Sequence, residues 1–337
     1  MSPLDTLGRP LRDLRISVTD RCNFRCPYCM PAEIFGERYE FLPREEILSF
    51  EEITRLARIF IGLGTEKIRI TGGEPLLRRE IERLIADLSA IPGLRDLTLT
   101  TNGVRFAALS ETLKTAGLSR VTFSLDALDP DVFRKMAGRD ESPDTVLNAI
   151  QKAEQTGYAP IKINTVIKRG DNDSEIVPLA QHFHGTNHIL RFIEYMDVGT
   201  RNGWQVDHVV PAEEIVARIH DVLPLEPVEP NYVGEVARRY RYVDGGGEVG
   251  IIASVTQPFC GDCTRARLST DGKLVTCLFA SDGVDLRPKL RGDADDEDIR
   301  RHIEGIWLKR DDRYSETRTE ATPDDEFQRI EMYQIGG

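Results

Sequence analysis

Three cysteines packed into eight residues, Cys22, Cys26 and Cys29, constrain this chain more than any other feature. Their spacing is C-x3-C-x2-C, with no fourth cysteine or histidine nearby. Three thiolates can hold three irons of a 4Fe-4S cluster. The fourth iron is then open to a small molecule, as is the open position of a catalytic zinc site. We therefore expect an iron-sulfur centre that carries chemistry. A structural zinc ion or a set of buried thiols is the alternative.

A second set of three cysteines, Cys260, Cys263 and Cys277, lies in the C-terminal part of the chain. A second 4Fe-4S cluster whose open iron touches substrate is the functional interpretation. The alternative is a zinc ion whose fourth ligand is one of the histidines, none of which lies near these cysteines in the sequence. Because the six cysteines form two tight groups in a long chain, metal binding is favoured over disulfides.

Composition narrows the class of protein. The chain has 337 residues, of which 40% are hydrophobic and 30% charged, as is ordinary for a soluble globular protein. No run of eighteen apolar residues occurs, and the N-terminus does not resemble a secretory signal, so we expect a cytoplasmic protein without a membrane span. The net charge of −12 argues against a nucleic-acid surface. Any anionic ligand must then be bound by local cations.

Short β-branched strands alternate with amphipathic helices from Leu14 to about Tyr195. Strands are predicted at 15–19, 67–71, 97–101, 120–125, 161–167 and 190–194. Helices are predicted at 44–63, 78–90, 106–116, 143–156 and 173–184. Six such β-α units predict a parallel α/β sheet or barrel.

The predicted strands alternate apolar and polar residues, as in Lys67, Arg69 and Thr71. Buried parallel strands are usually apolar on both faces, and a closed eight-stranded barrel fills its lumen with branched apolar side chains. We therefore expect an open, partial barrel whose polar inner face holds a large polar ligand. An open antiparallel sheet with one solvated face is the alternative, but it leaves the intervening helices unexplained.

The pattern changes after Tyr195. Residues 196–204 are predicted as a loop, 211–222 as a helix and 224–230 as a Pro-rich linker. Short strands are predicted at 240–243, 249–253, 265–269 and 273–277, with Thr270-Asp271-Gly272 turning the last pair into a hairpin. The acidic run 293–298 is predicted to begin a helix whose body is 299–308. We divide the chain into a barrel domain, 1–200, and a C-terminal segment, 201–337.

Two further motifs suit polar ligands. Arg265 and Arg267 alternate along a strand and so point to one side; arginine forks suit phosphate oxygens, and a solvated strand face is the alternative. Gly72-Gly73-Glu74-Pro75 follows a predicted strand, at the end where such folds bind ligands. Its glycines let the backbone approach a ligand closely, and its lone carboxylate can accept a hydrogen bond from an ammonium group.

The first cysteine motif, with Tyr28 directly before Cys29, and the Gly-Gly-Glu-Pro motif resemble the radical S-adenosylmethionine (SAM) superfamily. Other segments narrow the resemblance: Thr-Thr-Asn-Gly, Leu-Arg-Phe-Ile-Glu-Tyr-Met, Phe-Cys-Gly-Asp-Cys-Thr-Arg-Ala-Arg-Leu, Cys-Leu-Phe and the terminal Gly-Gly occur in that order. Together they are similar to the GTP 3',8-cyclase family of molybdenum cofactor (molybdopterin) biosynthesis. The resemblance runs from about residue 4 to residue 337.

This resemblance implies a partial (β/α)6 TIM-type barrel whose open side is closed by a C-terminal α+β segment. It implies one 4Fe-4S cluster on each cysteine set. The implied SAM-binding residues are Tyr28, Gly73, Glu74, Ser124 and Met196. The implied GTP-binding residues are Arg15, Arg69, Thr100, Lys162, Arg265, Ala266 and Arg267. A catalytic role is implied for Arg265, Arg267 and the tail residues Gly336 and Gly337, and a disordered chain end is the alternative for the tail.

The implied reaction is that of a lyase. A 5'-deoxyadenosyl radical removes the 3' hydrogen of GTP, and the C3' radical closes on guanine C8. The resulting radical must then gain one electron and one proton to give 3',8-cyclo-7,8-dihydroguanosine 5'-triphosphate. Implied partners are a downstream cyclic pyranopterin monophosphate synthase, a reductant such as flavodoxin or ferredoxin, and a second copy in a homodimer. The alternatives are a radical SAM peptide-modifying enzyme and a non-enzymatic iron-sulfur or zinc scaffold.

Overall fold

The computed structural model describes residues 2–36, 38–318 and 329–336. The described strands are β1 (Asp13–Ser17), β2 (Lys67–Thr71), β3 (Asp96–Thr101), β4 (Arg120–Ser124), β5 (Lys162–Ile167), β6 (Ile189–Glu194), β7 (Leu225–Val228), β8 (Arg238–Tyr242), β9 (Glu248–Ile252), β10 (Arg265–Leu268), β11 (Lys273–Val275) and β12 (Val284–Asp285). The described α-helices are α1 (Phe50–Gly62), α2 (Ile81–Ser89), α3 (Phe106–Thr115), α4 (Pro130–Ala137), α5 (Pro143–Gln155), α6 (Ile176–Phe183), α7 (Ala212–His220), α8 (Arg287–Leu290), α9 (Asp296–Leu308), α10 (Tyr314–Thr317) and α11 (Met332–Ile335).

All these strands belong to one sheet, in the order β12-β11-β10-β1-β2-β3-β4-β5-β6-β9-β8-β7. The run from β10 to β9 is parallel throughout, so the C-terminal segment extends both edges of the barrel. Antiparallel pairs complete each side, including the predicted hairpin of β10 and β11. The six predicted barrel strands and the partial barrel are confirmed. Because one sheet spans residue 200, the division of the chain there stays a prediction.

Helices pack outside the barrel, and local caps set where they begin. Ser49 Oγ accepts a hydrogen bond from the Glu52 amide (3.1 Å), and the Glu52 carboxylate accepts one from the Ser49 amide (2.7 Å). This capping box fixes the start of α1 at Phe50. The predicted start at residue 44 was therefore wrong.

Two further predictions need correction. The predicted linker 224–230 contains β7, which pairs with β8 at one end of the sheet. Pro227 fits there because an edge strand does not need every amide as a donor. Helix α4 was not among the predicted helices, although the Asp129 side chain caps it by accepting hydrogen bonds from two amides and Pro130 occupies its first position.

Alternation along the strands separates an apolar outer layer from a polar lumen. Leu14, Ile16 and Ile68 face the helices and are fully buried in the core. Arg69 and Arg267 are also buried, but their side chains line an internal cavity. The expected polar inner face is thus present. Within the described residues, none of the helices is long and apolar enough to cross a membrane.

Candidate active site

One cavity at the carboxyl ends of the strands, here called the upper cavity, is lined by both cysteine sets. The first set lies in the loop after β1, and the second lies on either side of β10 and β11. β10 pairs with β1 in parallel, with Asp13 opposite Arg265. This pairing brings two motifs more than two hundred residues apart in sequence to the same space.

The first cysteine loop is organised by Arg25. Its guanidinium is buried and donates hydrogen bonds to the carbonyl oxygens of Phe35 (2.6 Å) and Cys22 (2.7 Å). Burial raises the pKa of Cys22 to about 12 and also raises the pKa of Cys26 well above its ordinary value. Thiols in such a setting become thiolates only beside a strong positive charge. The donor set therefore fits an iron-sulfur cluster, whose metal ions supply that charge.

Gly73 packs directly against the chain that leads to the first cysteines. Its amide donates to the Thr19 carbonyl (2.7 Å), and the next amide, of Glu74, donates to the Arg21 carbonyl (2.8 Å). A β-carbon on Gly73 would collide with that Arg21 carbonyl. Glycine at this position therefore lets two loops of the upper cavity meet backbone to backbone.

The Glu74 carboxylate is buried and fully engaged. It accepts hydrogen bonds from the Thr101 hydroxyl (2.8 Å), the Asn102 amide (2.8 Å) and the Leu76 amide (3.1 Å). Burial outweighs these bonds and raises its pKa to about 7. Glu74 thus fixes the Thr-Thr-Asn-Gly segment in addition to lining the cavity.

Tyr28, Ser124 and Met196, which were predicted to bind SAM, all line the upper cavity. The Tyr28 hydroxyl donates to Oδ2 of Asp126 at 2.6 Å. Burial raises the pKa of Asp126 to about 6. Asp126 was not among the predicted site residues, although it continues the inward alternation of Ser124.

Two arginines approach the second cysteine set. Arg265 Nη2 lies 3.1 Å and Arg310 Nη2 3.2 Å from Sγ of Cys263. Burial raises the pKa of Cys263, but the two guanidinium charges outweigh it and lower the value to about 6. The side chain of Ala266 is fully buried in the apolar core, so it can meet a ligand only through its backbone.

Buried cations without full partners line the barrel. Arg69 donates to the hydroxyls of Thr100 (2.8 Å) and Thr122 (3.2 Å). In the described part of the chain, the buried Nε atoms of Arg15, Arg191 and Arg267 have no hydrogen-bond partner. Such groups fit a polyanion, because a buried charge is costly until it is paired.

The structure differs from the sequence-based expectations at two cations, Arg191 and Lys162. Arg191 lies in the Leu-Arg-Phe-Ile-Glu-Tyr-Met segment but was not assigned to the site, since an isolated arginine in an apolar strand carries no distinctive pattern. Lys162 does not line the upper cavity. It lines a second cavity at the amino ends of the strands, here called the lower cavity.

The C-terminal tail docks on the barrel. Met332 lines the upper cavity, and the hydroxyls of Tyr333 and Tyr39 are 2.7 Å apart. Gly336 has φ +69° and lies so close to Thr71 that a β-carbon would collide with that side chain. Gly337 lies outside the described residues.

Comparisons with known proteins agree with this geometry. Residues 16–183 match the Radical SAM superfamily, and residues 188–316 match Molybdenum Cofactor Synthesis C. A GTP 3',8-cyclase of Acidothermus cellulolyticus is 56% identical over 93% of this chain and 88% of its own length. A GTP 3',8-cyclase of Staphylococcus carnosus is 49% identical over 99% of this chain and 98% of its own.

A solved structure supports the fold alone. Streptococcus suis SuiB bound to S-adenosylmethionine has a TM-score of 0.52 with this chain at 15% identity. The match covers 80% of this chain and 60% of SuiB.

Proposed function

This chain belongs to the GTP 3',8-cyclase family of radical SAM proteins, and we propose that it converts GTP into 3',8-cyclo-7,8-dihydroguanosine 5'-triphosphate. That reaction is the first step of molybdenum cofactor biosynthesis, in agreement with the C-terminal family match. One observation carries the proposal: both cysteine sets and the incompletely paired arginines line a single cavity.

Membership of the family implies one 4Fe-4S cluster and SAM. We assign the cluster to Cys22, Cys26 and Cys29. When bound, it supplies the electron that cleaves SAM into methionine and a 5'-deoxyadenosyl radical. Gly73 and Glu74 border the space beside this loop, and Tyr28, held by Asp126, closes another side of it. These residues orient SAM and keep water from the cleaved bond.

A second 4Fe-4S cluster is assigned to Cys260, Cys263 and Cys277. The zinc alternative takes its fourth ligand from a histidine, but no histidine of the described residues lines the upper cavity. The positive charges of Arg265 and Arg310 offset the negative charge of the Cys263 thiolate.

The arginines of the lumen are assigned to the triphosphate. Arg15, Arg69 and Arg267 are inward-facing residues on three adjacent strands, and Arg191 lies on β6. Arg15 is paired in register with both Arg69 and Arg267, so these three guanidinium groups form one row across the sheet that can bind phosphate oxygens. The base then lies near the second cysteine set, and the ribose faces the SAM side. Holding C3' in reach of the radical source is the positioning task of the protein.

Further parts of the proposal concern the surroundings of the enzyme. We propose a cytoplasmic homodimer that receives electrons from a reductant such as flavodoxin or ferredoxin. Its product would pass to a cyclic pyranopterin monophosphate synthase, because the cyclised triphosphate still requires rearrangement to the pterin.

The test is anaerobic. The protein is reconstituted with iron and sulfide, reduced, and incubated with SAM and GTP, and 5'-deoxyadenosine and nucleotide products are followed by chromatography and mass spectrometry. We expect 5'-deoxyadenosine together with a product isobaric with GTP. Cleavage of SAM with GTP untouched would reject GTP as the substrate while leaving the superfamily assignment intact.

A further inference from the structure

The barrel lumen has a second opening at the amino ends of its strands. The lower cavity there has a volume of about 690 Å³. Its lining includes the first residues of five neighbouring strands: Asp13, Lys67, Asp96, Arg120 and Lys162. The loop between β7 and β8 borders it with Tyr232 and Val233, which are 52% and 72% exposed.

The two cavities are successive levels of one lumen. Alternate residues of a strand face the same side and lie about 6.6 Å apart along it. On three strands the first of two such residues lines the lower cavity and the second lines the upper one: Asp13 and Arg15 on β1, Lys67 and Arg69 on β2, and Lys162 and Asn164 on β5. A ligand phosphate that extends past Arg69 toward the amino ends of the strands would therefore lie beside Lys162.

Charges in the lower cavity leave Lys162 uncompensated. Lys67 pairs with Asp13 at 2.8 Å, and Arg120 pairs with Asp96. In the described part of the chain, no carboxylate lies within ion-pair distance of Lys162, and the charges that act on it are other cations. A cation in this position is stabilised only when an anion arrives.

We propose that the nucleotide site is open at the terminal phosphate, so that the lower cavity admits a substituent carried on that phosphate. Lys162, which the family resemblance already implies as a GTP-binding residue, neutralises the phosphate at this opening. This inference rests on the proposed function. It predicts that the site accepts guanosine triphosphates with a linker on the γ-phosphate, and guanosine 5'-tetraphosphate. Substituents on the ribose, in contrast, would meet the walls of the upper cavity.

Binding of three nucleotides to the reconstituted enzyme with SAM tests the inference by anaerobic calorimetry. They are GTP, GTP carrying a 6-aminohexyl amide on its γ-phosphate, and GTP carrying an N-methylanthraniloyl group on its ribose. We expect the γ-linked nucleotide to bind within about tenfold of GTP, and the ribose-linked one about a hundredfold more weakly. A γ-linked nucleotide that binds as poorly as the ribose-linked one, beside normal GTP binding, overturns the inference alone. Absence of GTP binding overturns the proposed function as well.

A matched pair of variants locates the opening. Val233→Trp places bulk at the rim of the lower cavity, whereas Val243→Trp places it at a similarly exposed valine that does not line the cavity. Val233→Trp should weaken the γ-linked nucleotide about tenfold relative to GTP, and Val243→Trp should leave the ratio unchanged. An equal ratio in both variants would mean that the linker does not pass through the lower cavity.

Discussion

The guanidinium of Arg310 lies 3.2 Å from Sγ of Cys263 and donates a second hydrogen bond, of 2.8 Å, to the carbonyl oxygen of the same residue. It also pairs with the fully buried carboxylate of Asp5 at 3.0 Å and stacks on Trp307. One buried side chain thus joins the N-terminal turn, the end of α9 and the second cysteine set. Arg310 holds Cys263 in place before any metal group is bound.

Arg310→Gln should destabilise the protein and loosen the second metal site. The change leaves Asp5 with Arg9 as its remaining ion-pair partner and removes a cation beside Cys263. We expect a loss of about 3 kcal/mol in the free energy of unfolding, together with less iron bound after reconstitution. Urea titration and iron analysis measure the two effects. Arg301→Gln is the control: this exposed arginine of α9 pairs with the exposed Asp298, and its loss should change neither property.

Arg265→Ala and Cys22→Ala should separate SAM cleavage from GTP binding. Cys22 is assigned to the first cluster, so its loss should abolish 5'-deoxyadenosine formation. Arg265 faces the upper cavity beside the second cysteine set, so its loss should weaken GTP binding at least tenfold and leave uncoupled SAM cleavage in place. Calorimetry with GTP and chromatography of 5'-deoxyadenosine give the two readouts. If SAM cleavage falls equally in both variants, this division of roles is wrong.

Gly73→Ala should disrupt the SAM side of the cavity, because the new methyl group would collide with the Arg21 carbonyl next to Cys22. We expect SAM binding to weaken by at least tenfold, measured by equilibrium dialysis on the reconstituted protein. Gly305→Ala is the control: it lies inside α9 with open space around it, and should raise stability by about 1 kcal/mol. Unchanged SAM affinity in Gly73→Ala would show that SAM binding does not require the close contact between the Gly73 loop and the first cysteine loop.

The parallel pairing of the six barrel strands and the polar lumen could be predicted because both follow from local patterns. Alternation along Lys67, Arg69 and Thr71 fixes which side chains face inward, and the helices between strands require parallel pairing. The cysteine spacings likewise predict which residues are ligands of each cluster. These features depend on residues that are close together in the sequence, so one sequence is enough to predict them.

Other parts of the site depend on how high a side chain lies in the barrel and on contacts between residues far apart in the sequence. No local sequence pattern encodes either property. Alternation places Lys162 on the inner face but does not say which cavity it reaches. Arg310 is 47 positions from Cys263, and Asp126 meets Tyr28 across 98. Such contacts arise from how strands and loops are stacked. An edge position likewise permits Pro227 in β7, and the sequence alone does not reveal which strand is at the edge.

Nucleotide binding should protonate Lys162. Burial, then the charges of Arg191, Arg120, Arg69 and Lys67, lower its pKa from 10.5 to about 7. Between pH 7 and pH 10.5, Lys162 is protonated in the unfolded chain but neutral in the folded protein. The free energy of unfolding therefore rises with pH across this range. Below pH 7 the lysine is charged in both states, and the full cost of burying that charge lowers the stability of the folded protein. An arriving phosphate restores the charge.

At pH 8 we therefore expect GTP binding to take up close to one proton. Calorimetry in buffers with different ionisation enthalpies measures this number directly. Lys162→Met should bring the uptake close to zero and also remove the rise of stability between pH 7 and 10.5. The same proton uptake in the variant and the parent protein would assign the titration to another group.

Gly336→Ala should release the C-terminal tail from the barrel. The residue has φ +69°, and its β-carbon would collide with Thr71, so backbone strain and a steric clash act together. Gly245→Ala is the matched control, because Gly245 has φ +84° but open space around it. Strain alone costs about 1 kcal/mol in both variants, whereas only Gly336→Ala should lower the yield of cyclised GTP per 5'-deoxyadenosine. Equal yields in the two variants would show that the docked tail position is not needed for coupling.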